Sequence, residues 1–357
     1  MRYIVIGLAL LLTALFVGSR IFAVPLAEAA FKRAVEQNLG RDIVSDLPDG
    51  LHVALIGSGS PLGDPMRLGP STAVIAGDRV FIVDSGSGTP RNLGRFGIAA
   101  GRIERVFLTH FHSDHIDGLG ELMLQRWATG GHDTPLPVHG PLGVDRVVEG
   151  LNAAYALDTI YRIAHHGEDV VPPSGQGGDA QPFALASPLE TVTVFDNDGL
   201  TVTAFAVVHD PVHPAVGYRF DYGGRSVVLS GDTAFSEQLT AQSEGVDLLV
   251  HEALNAEMVG VMEAALEARG QDRLAKIMAD IPDYHATPVE AAKSAEIAGV
   301  DMLVYSHLVP QLPTRALYPL FLKGVKDAYS GDVVLGEDGM MFSMPTGGDD
   351  IDKFRLD

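Results

Sequence analysis

A predominantly apolar run occupies positions 3–17, directly after Met1 and Arg2. A positive start followed by an apolar run of this length is typical of a secretory signal peptide, whereas a spanning helix needs about 20 residues. The pattern Ala27-Glu28-Ala29 resembles a cleavage site but lies well downstream, so a cleaved signal and an uncleaved anchor both stay open. We predict a signal peptide or membrane anchor over residues 1–25, in preference to a buried N-terminal helix. The protein would then be exported, either periplasmic or membrane-anchored facing the periplasm.

The next segment mixes apolar and charged positions with a helical period. Apolar residues recur there at spacings of three and four, which predicts an amphipathic connecting helix over residues 26–48; they are Leu26, Ala30, Phe31, Ala34, Val35 and Leu39. The sequence Leu47-Pro48-Asp49-Gly50 is a turn. A globular domain is therefore predicted over residues 49–357.

Short apolar runs within this domain are bounded by Gly, Pro, Asp or Ser and predict strands; they cover 51–56, 72–76, 80–83, 105–109, 201–208, 215–220, 226–229, 247–250 and 302–305. Helical patterns lie between some of them, at 118–127, 142–155, 256–269 and 288–298. Strands and helices mixed in this way predict an α/β fold in which helices cover the sheets. The Gly- and Pro-rich segment 132–186 predicts long loops.

Composition narrows the chemistry. The 357 residues are 46% apolar, which supports a large core. They carry 25 Lys and Arg against 46 Asp and Glu, a formal net charge of -21 that opposes binding of a polyphosphate backbone. Cysteine is absent, which excludes disulfides, thiolate metal sites and cysteine nucleophiles. Any metal site must therefore be built from histidine and carboxylate.

Four metal-competent side chains lie together in the sequence: His110, His112, Asp114 and His115. They directly follow the apolar strand residues Val106-Phe107-Leu108. In extended chain the two histidines of a His-x-His pair point to the same side. Such a cluster suits neither a core nor an ordinary surface loop, so it predicts a metal site.

One cluster of this size cannot serve two metal ions, and further candidates each follow a predicted strand. They are His209, Asp232, His251 and His307. Ligands at the strand ends of one sheet edge can meet at a shared site, so these residues are expected to join the cluster.

The pattern His-x-His-x-Asp-His resembles the signature of the metallo-β-lactamase fold hydrolases. The similarity extends over about residues 51–343 and includes Val83-Asp84-Ser85-Gly86, Ser230-Gly231-Asp232-Thr233 and Ser306-His307. The stretches at 67–72, 209–220 and 251–253 are most similar to the ribonuclease Z and arylsulfatase-like branch. The resemblance implies an α/β metallo-β-lactamase-like αβ/βα four-layer sandwich, preceded here by the N-terminal signal or anchor.

The same resemblance implies a division of the ligands between two metal ions. His110, His112 and His209 would hold the first; Asp114, His115 and His307 would hold the second; Asp232 would bridge both. His213 competes with His209 for one position, and we prefer His209 because it directly follows its strand, which leaves His213 as a loop residue near the cleft. Asp84 is expected to support the histidine loop.

Nitrogen and oxygen ligands suit Zn²⁺, with Mn²⁺ or Fe²⁺ as alternatives. Two such ions lower the pKa of a bound water to about 7, so that a metal-bound hydroxide can act as the nucleophile. Asp114 is expected to orient that nucleophile. His251 and His285 are the candidate acids that protonate the leaving group.

The leading hypothesis is therefore an extracytoplasmic binuclear metal-dependent hydrolase that cleaves a small ester, either arylsulfatase-like or a phosphoester. The first alternative is a ribonuclease Z-like phosphodiesterase or nuclease, and the second is a lactone hydrolase. Between residues 119 and 200 there are three basic residues, Arg126, Arg146 and Arg162, against eleven acidic ones: Glu121, Asp133, Asp145, Glu149, Asp158, Glu168, Asp169, Asp179, Glu190, Asp196 and Asp198. This balance makes nucleic acid an unexpected partner and favours a small-molecule ester; membrane contact through the N-terminal segment and a homodimer stay open.

Overall fold

The structure is a computed structural model that describes residues 2–356, apart from the side chains of residues 2–5, 8–18, 21 and 38. The chain divides into two units, one up to Asp42 and one from Ile43 onward.

The first unit contains one helix, α1 (Arg2–Asn38), which includes Pro25. Its described apolar side chains are exposed, among them Phe22, Leu26 and Phe31. Among the described residues, no helix combines the length and the apolar character needed to cross a membrane. The predicted signal or anchor falls largely on residues 3–17, whose side chains mostly lie outside the described part, and it gains no support. Of the predicted connecting helix 26–48, residues 26–38 form the last part of α1, which ends at Asn38. Residues 39–48 are not α-helical, so the predicted end at residue 48 is wrong.

The second unit begins at Ile43, earlier than the predicted residue 49. Ile43 and Val44 form a short 3-10 turn, Ile43–Asp46, and both are buried against the apolar core of this unit. That burial explains the earlier boundary.

Fifteen strands are described in this unit: β1 (Gly50–Gly57), β2 (Ser71–Ala76), β3 (Arg79–Val83), β4 (Ile103–Phe107), β5 (Leu136–Pro141), β6 (Gly178–Phe183), β7 (Thr191–Asn197), β8 (Leu200–Ala206), β9 (Val216–Tyr222), β10 (Arg225–Leu229), β11 (Leu248–Leu254), β12 (Met302–Val309), β13 (Asp332–Leu335), β14 (Met340–Pro345) and β15 (Asp352–Arg355). The described helices of this unit are α2 (Thr89–Arg95), α3 (Ser113–Ile116), α4 (Leu119–Gly130), α5 (Val144–His166), α6 (Glu237–Gln242), α7 (Ala256–Glu267), α8 (Asp272–Asp280), α9 (Pro288–Ala298), α10 (Tyr318–Phe321) and α11 (Val325–Ala328).

The strands form two sheets that pack face to face. One has the order β15-β14-β1-β2-β3-β4-β5-β6 and the other the order β13-β12-β11-β10-β9-β8-β7. Leu51, Val53 and Leu55 of β1 pack between the sheets, whereas Ala54 and Ile56 face the outer helices. Both faces of the central strands are therefore buried, which explains their continuous apolar runs.

Helices cover the outer face of each sheet, which gives the predicted α/β four-layer sandwich. Apolar residues of α2, α4 and α5 complete the core outside the first sheet. Those of α6, α9 and α11 do so outside the second sheet. The fold class predicted from the sequence is confirmed in this respect.

Because several strands are parallel, their carboxyl ends lie at the same edge of the sandwich. Strands β3 and β4 are parallel to each other in the first sheet, and β10, β11 and β12 are parallel in the second. Strand β8 runs in the same direction as β10, because β9 is antiparallel to both. The residues that follow these strands consequently meet at one place.

The prediction of long loops over 132–186 is wrong. This segment contains β5, a helix of 23 residues and β6. The helical pattern predicted for 142–155 continues to His166, so His165 and His166 lie in the last turn of α5.

Candidate metal centre

The structure brings together all seven predicted metal ligands. One group contains His110, His112, His209 and Asp232, and a second contains Asp114, His115 and His307. Within each group the ligand atoms lie within 4.8 Å of one another. Both groups match the division between two metal ions that the family resemblance implies.

Asp232 lies between the two groups. Its Oδ2 atom is 3.3 Å from the Nε2 atom of His115 and 3.4 Å from that of His307. The same oxygen is 3.9 Å from Nε2 of His110 and 4.0 Å from Nε2 of His209. A single carboxylate oxygen therefore faces imidazole nitrogens of both groups, as a bridging ligand must.

Within each group, ligand atoms of different residues also lie close to one another. In the first group, His110 Nε2 lies 3.0 Å from His112 Nδ1, which in turn lies 3.4 Å from His209 Nε2. In the second group, His307 Nε2 lies 3.2 Å from Asp114 Oδ2. Imidazole nitrogens this close together need a cation or a proton between them to be stable.

Asp84, at the end of β3, holds the loop that carries the histidine cluster. Its carboxylate accepts hydrogen bonds from the backbone N–H of Thr109 at 2.8 Å and from the Thr109 hydroxyl at 2.7 Å. It also lies 2.8 Å from His115 Nδ1, which fixes the orientation of that ring and leaves Nε2 to face the metal site. His209 is held in the same way, since its Nδ1 lies 2.9 Å from the carbonyl oxygen of Tyr284.

Backbone contact between two loops explains the glycines near the cluster. A Cβ atom on Gly118 would lie 2.2 Å from the Gly86 oxygen, and one on Gly86 would lie 2.4 Å from the Asp114 oxygen. The loop after β3 and the loop after β4 therefore pack main chain against main chain. This contact fixes the position of Asp84 relative to His115.

Burial controls the charge of the first group. Burial and the neighbouring His115 lower the pKa of His110 well below its ordinary value. Burial likewise lowers the pKa of His112 and of His209. These three imidazoles are therefore neutral at pH 7 and can bind a metal ion without releasing a proton.

Carboxylates control the charge of the second group. Burial by itself lowers the pKa of His115, but Asp232 and Asp84 outweigh it and raise that pKa well above its ordinary value. Burial opposes the charge on His307 in the same way, and Asp232 and Asp114 raise its pKa. Positive charge is thus stabilised here, whether a proton or a metal ion carries it.

The residues present fit two divalent metal ions. Within the described part of the chain, His115 Nε2 and Asp232 Oδ1 are buried and make no hydrogen bond. A buried polar atom without a partner costs about 1–3 kcal/mol, which a bound cation would remove. Donor atoms that are all nitrogen and oxygen suit Zn²⁺, Mn²⁺ or Fe²⁺.

His285, predicted as a candidate acid, lies beside this cluster. It forms a further group with Asp232 and His307, and its ring stacks on that of His307 at 5.7 Å between centroids. Burial opposes its protonation, but Glu252, whose Oε1 is 3.0 Å from its Nδ1, raises the pKa of His285 to about 9. A protonated imidazole beside the metal ligands can deliver a proton to a leaving group.

His251, the other candidate acid, is not brought to the cluster. Side chains alternate along a strand, and Val250 and Glu252 line the small cavity behind Asp232. His251 therefore faces the opposite side of β11, where it is buried and its Nδ1 lies 2.7 Å from the Glu252 carbonyl oxygen. The functional carboxylate that the sequence reasoning missed is Glu252, because a strand buried on both faces gives no sequence signal for the face that reaches the site.

His213 lies outside both metal groups. It is exposed on the loop between β8 and β9, whereas His209 is buried within the first group. This placement agrees with the preference for His209 as the ligand.

Comparison with known proteins identifies the family. The sequence profile of the metallo-beta-lactamase superfamily matches residues 66–307. Ribonuclease Z of Mycobacterium sp. (strain KMS) is 39% identical over 263 residues, which cover 73% of this chain and 85% of that protein. Ribonuclease Z of Mycobacterium bovis (strain BCG / Pasteur 1173P2) is 38% identical over 264 residues, covering 73% and 87%.

Solved structures show the same fold. Human tRNase Z, short form, superposes with a TM-score of 0.59 at 21% identity and covers 82% of this chain and 99% of its own. The metallo-beta-lactamase fold protein YhfI from Bacillus subtilis also gives a TM-score of 0.59, at 22% identity, with 82% and 98% covered.

These similarities confirm the resemblance to metallo-β-lactamase fold hydrolases and support a metal-dependent hydrolase. They favour the ribonuclease Z side of the predicted branch and give no support to the arylsulfatase-like side. They also lean against the expectation that a small-molecule ester is favoured over nucleic acid as the partner, since the curated relatives carry the name ribonuclease Z. The chain belongs to the metallo-beta-lactamase superfamily of hydrolases, in its ribonuclease Z branch.

Proposed function

We propose that this protein is a metal-dependent phosphodiesterase of the ribonuclease Z kind, with an RNA phosphodiester as the first substrate to test. The observation that carries the proposal is the position of the Asp232 carboxylate between two groups of ligands, with the His285–Glu252 pair alongside. This arrangement combines a binuclear metal site with a proton donor, which hydrolysis of a phosphodiester requires.

Each part of the site has a distinct task in this reaction. Two bound divalent ions, with zinc the first candidate, would supply the activated water and neutralise charge on the phosphate. Asp114 and Asp232 orient the attacking group. His285 donates a proton to the departing oxygen, and Glu252 fixes its ring through Nδ1.

Names of the relatives favour a phosphodiester over the sulfate ester or lactone that the sequence left open. Surface charge predicts that RNA binds weakly. Of the three basic residues between 119 and 200, Arg126 is buried with its guanidinium donating to backbone carbonyls, and Arg162 is paired with Asp158 at 2.6 Å. Few cations there are left to contact phosphates, so RNA binding should depend only weakly on the salt concentration.

The proposal is tested with the full chain loaded with Zn²⁺ or Mn²⁺. Substrates are bis(p-nitrophenyl) phosphate, a tRNA transcript with extended ends, p-nitrophenyl sulfate and a lactone. We expect hydrolysis of the phosphodiesters and only background rates on the sulfate and the lactone. Faster turnover of either of those two than of every phosphodiester would refute the proposal.

A matched pair of variants excludes a contaminating nuclease. His307→Ala removes one ligand of the second group and should abolish hydrolysis. His165→Ala changes an exposed histidine in the last turn of α5 and should leave the rate unchanged. Equal activity of the two variants would show that the measured hydrolysis does not come from this site.

A further inference from the structure

A second, larger cavity opens beside the metal centre. Its volume is about 530 Å³, within the range of small-molecule pockets. It lies between the end of β6 at the edge of the first sheet and the loop that joins β8 to β9 in the second. Leu142, Phe183, Leu185 and Val208 are among the residues that line it; we call it the apolar cleft.

Two features of the chain place the apolar cleft next to the metal ligands. Val208 and Asp210 both line it, and His209 between them belongs to the first ligand group. On the other side, a Cβ atom on Gly143, which follows the cleft residue Leu142, would lie 3.2 Å from the ring of Phe111. Phe111 separates His110 from His112. A group held in the cleft is therefore a short reach from a phosphate at the metal centre.

The lining of the apolar cleft suits an uncharged group. Among the described residues, its lining includes no lysine or arginine, and its ionisable members are Asp210 and His213. Aliphatic and proline side chains make up most of the rest, and Phe183 offers one aromatic ring. Two large apolar side chains of the lining are exposed, Leu142 at 60% and Val208 at 45%, so burying them under a ligand would be favourable.

A second phosphate is a poor occupant of this cleft. Phosphate binding needs cationic side chains or clustered backbone N–H groups, and here the carboxylate of Asp210 would repel it. Only the phosphate that is cleaved is expected to contact the metal centre.

We propose that the apolar cleft is a specificity subsite that binds an uncharged, largely apolar group attached to the scissile phosphate. The inference rests on the proposed phosphodiesterase function and adds the substrate class. Such a group has two sources: the aryl or alkyl arm of a small diester, or the base of a nucleotide.

Binding of unreactive esters tests this subsite without requiring turnover. Dimethyl, dibutyl and diphenyl phosphate are titrated into the metal-loaded full chain by calorimetry. Burying as few as two methylene groups is worth about a tenfold gain in affinity. We therefore expect the Kd of the dibutyl and diphenyl esters to be lower than that of the dimethyl ester by about tenfold or more.

Leu142→Asn tests whether the preference arises in the cleft. This exposed side chain can be changed without altering charge, and the variant should reduce the preference for the larger esters to about threefold or less. Leu157→Asn is the matched control, because Leu157 is 63% exposed on α5 and does not line the cleft. It should keep the wild-type preference.

Binding of thymidine 5′-(methyl phosphate) shows whether the cleft prefers the base of a nucleotide or the aryl or alkyl arm of a small diester. Affinity close to that of the diphenyl ester indicates a nucleoside, and affinity close to that of the dimethyl ester indicates a small aryl or alkyl diester. Equal Kd values for the three simple esters, no binding of any of them at millimolar concentration, or an unchanged preference in Leu142→Asn would each overturn the subsite. A chain that shows the preference but hydrolyses no phosphodiester would refute the proposed function and leave the subsite standing.

Discussion

The Oε1 atom of Glu252 lies 3.0 Å from the Nδ1 atom of His285. The same oxygen accepts hydrogen bonds from the backbone N–H of Ala286 at 3.0 Å and of Thr233 at 3.2 Å. One carboxylate thus links the proton donor to the backbone beside Asp232. Glu252 is a positioning residue: it influences the reaction by orienting His285 and stabilising its protonated form.

Glu252→Gln should lower kcat while leaving the metal content unchanged. The neutral amide no longer stabilises a protonated imidazole, and general acid catalysis contributes about 100-fold or more. The loss should be large for a diester with an alkyl leaving group and small for one that releases p-nitrophenolate, which needs no proton to depart. The check is kcat on the two kinds of ester.

Glu257→Gln is the control for that experiment, because Glu257 is an exposed residue of α7 that pairs with Lys323 at 3.0 Å. It should behave as the wild type on both esters. Equal losses for the two leaving groups in Glu252→Gln would mean that Glu252 supports the fold and does not position a proton donor.

Asp84→Asn should weaken metal binding by about 10- to 100-fold, the usual effect of losing a residue that orients a ligand. Asp84 has a backbone φ of 56°, a left-handed conformation that asparagine tolerates, so the backbone should hold. The amide cannot replace both carboxylate oxygens that hold Thr109 and His115. Metal dissociation constants measured by chelator competition test this, and an unchanged affinity would contradict the assigned role.

Asp232→Ala should release both metal ions and abolish hydrolysis, because its Oδ2 faces nitrogens of both ligand groups. His213→Ala should keep the wild-type metal content, since His213 is exposed outside those groups. Metal analysis of the two purified variants gives the answer. A fully loaded Asp232→Ala protein, or a His213→Ala protein that loses one ion, would contradict the ligand assignment.

Much of the metal centre was predictable because each ligand either belongs to the cluster at 110–115 or lies at or shortly after the end of an apolar run. Parallel strands end at a common edge, so residues as distant in sequence as His115 and His307 were expected to meet there. Strands β1 to β4 and β8 to β12 were predicted because burial gives them continuous apolar runs.

The role of Glu252 could not be assigned because all seven residues of β11 are buried. In such a strand the sequence does not show which face reaches the site, so His251 was predicted as an acid and Glu252 was missed. Edge strands were missed for the opposite reason. Strand β15 is exposed along its length and β6 contains Pro182, so neither shows an apolar run.

His139 should make the stability of the protein depend on pH between 4 and 6.5. Its ring is stacked on Phe107 at 4.9 Å, and Arg105 Nη1 lies 3.1 Å from its Nε2. Burial and the charge of Arg105 lower the pKa of His139 to about 4. In this range the unfolded chain binds a proton that the folded protein does not, so this contribution to stability is complete above pH 6.5 and is lost as the pH falls towards 4. From pH 7 to pH 5 the free energy of unfolding should fall by about 2 kcal/mol on account of this residue.

Urea unfolding at the two pH values tests this prediction. The fall in the free energy of unfolding from pH 7 to pH 5 should be smaller by that amount in His139→Gln than in the wild type. The exposed-site control His165→Gln should show the full wild-type drop, and an equal drop in all three proteins would contradict the assignment to His139.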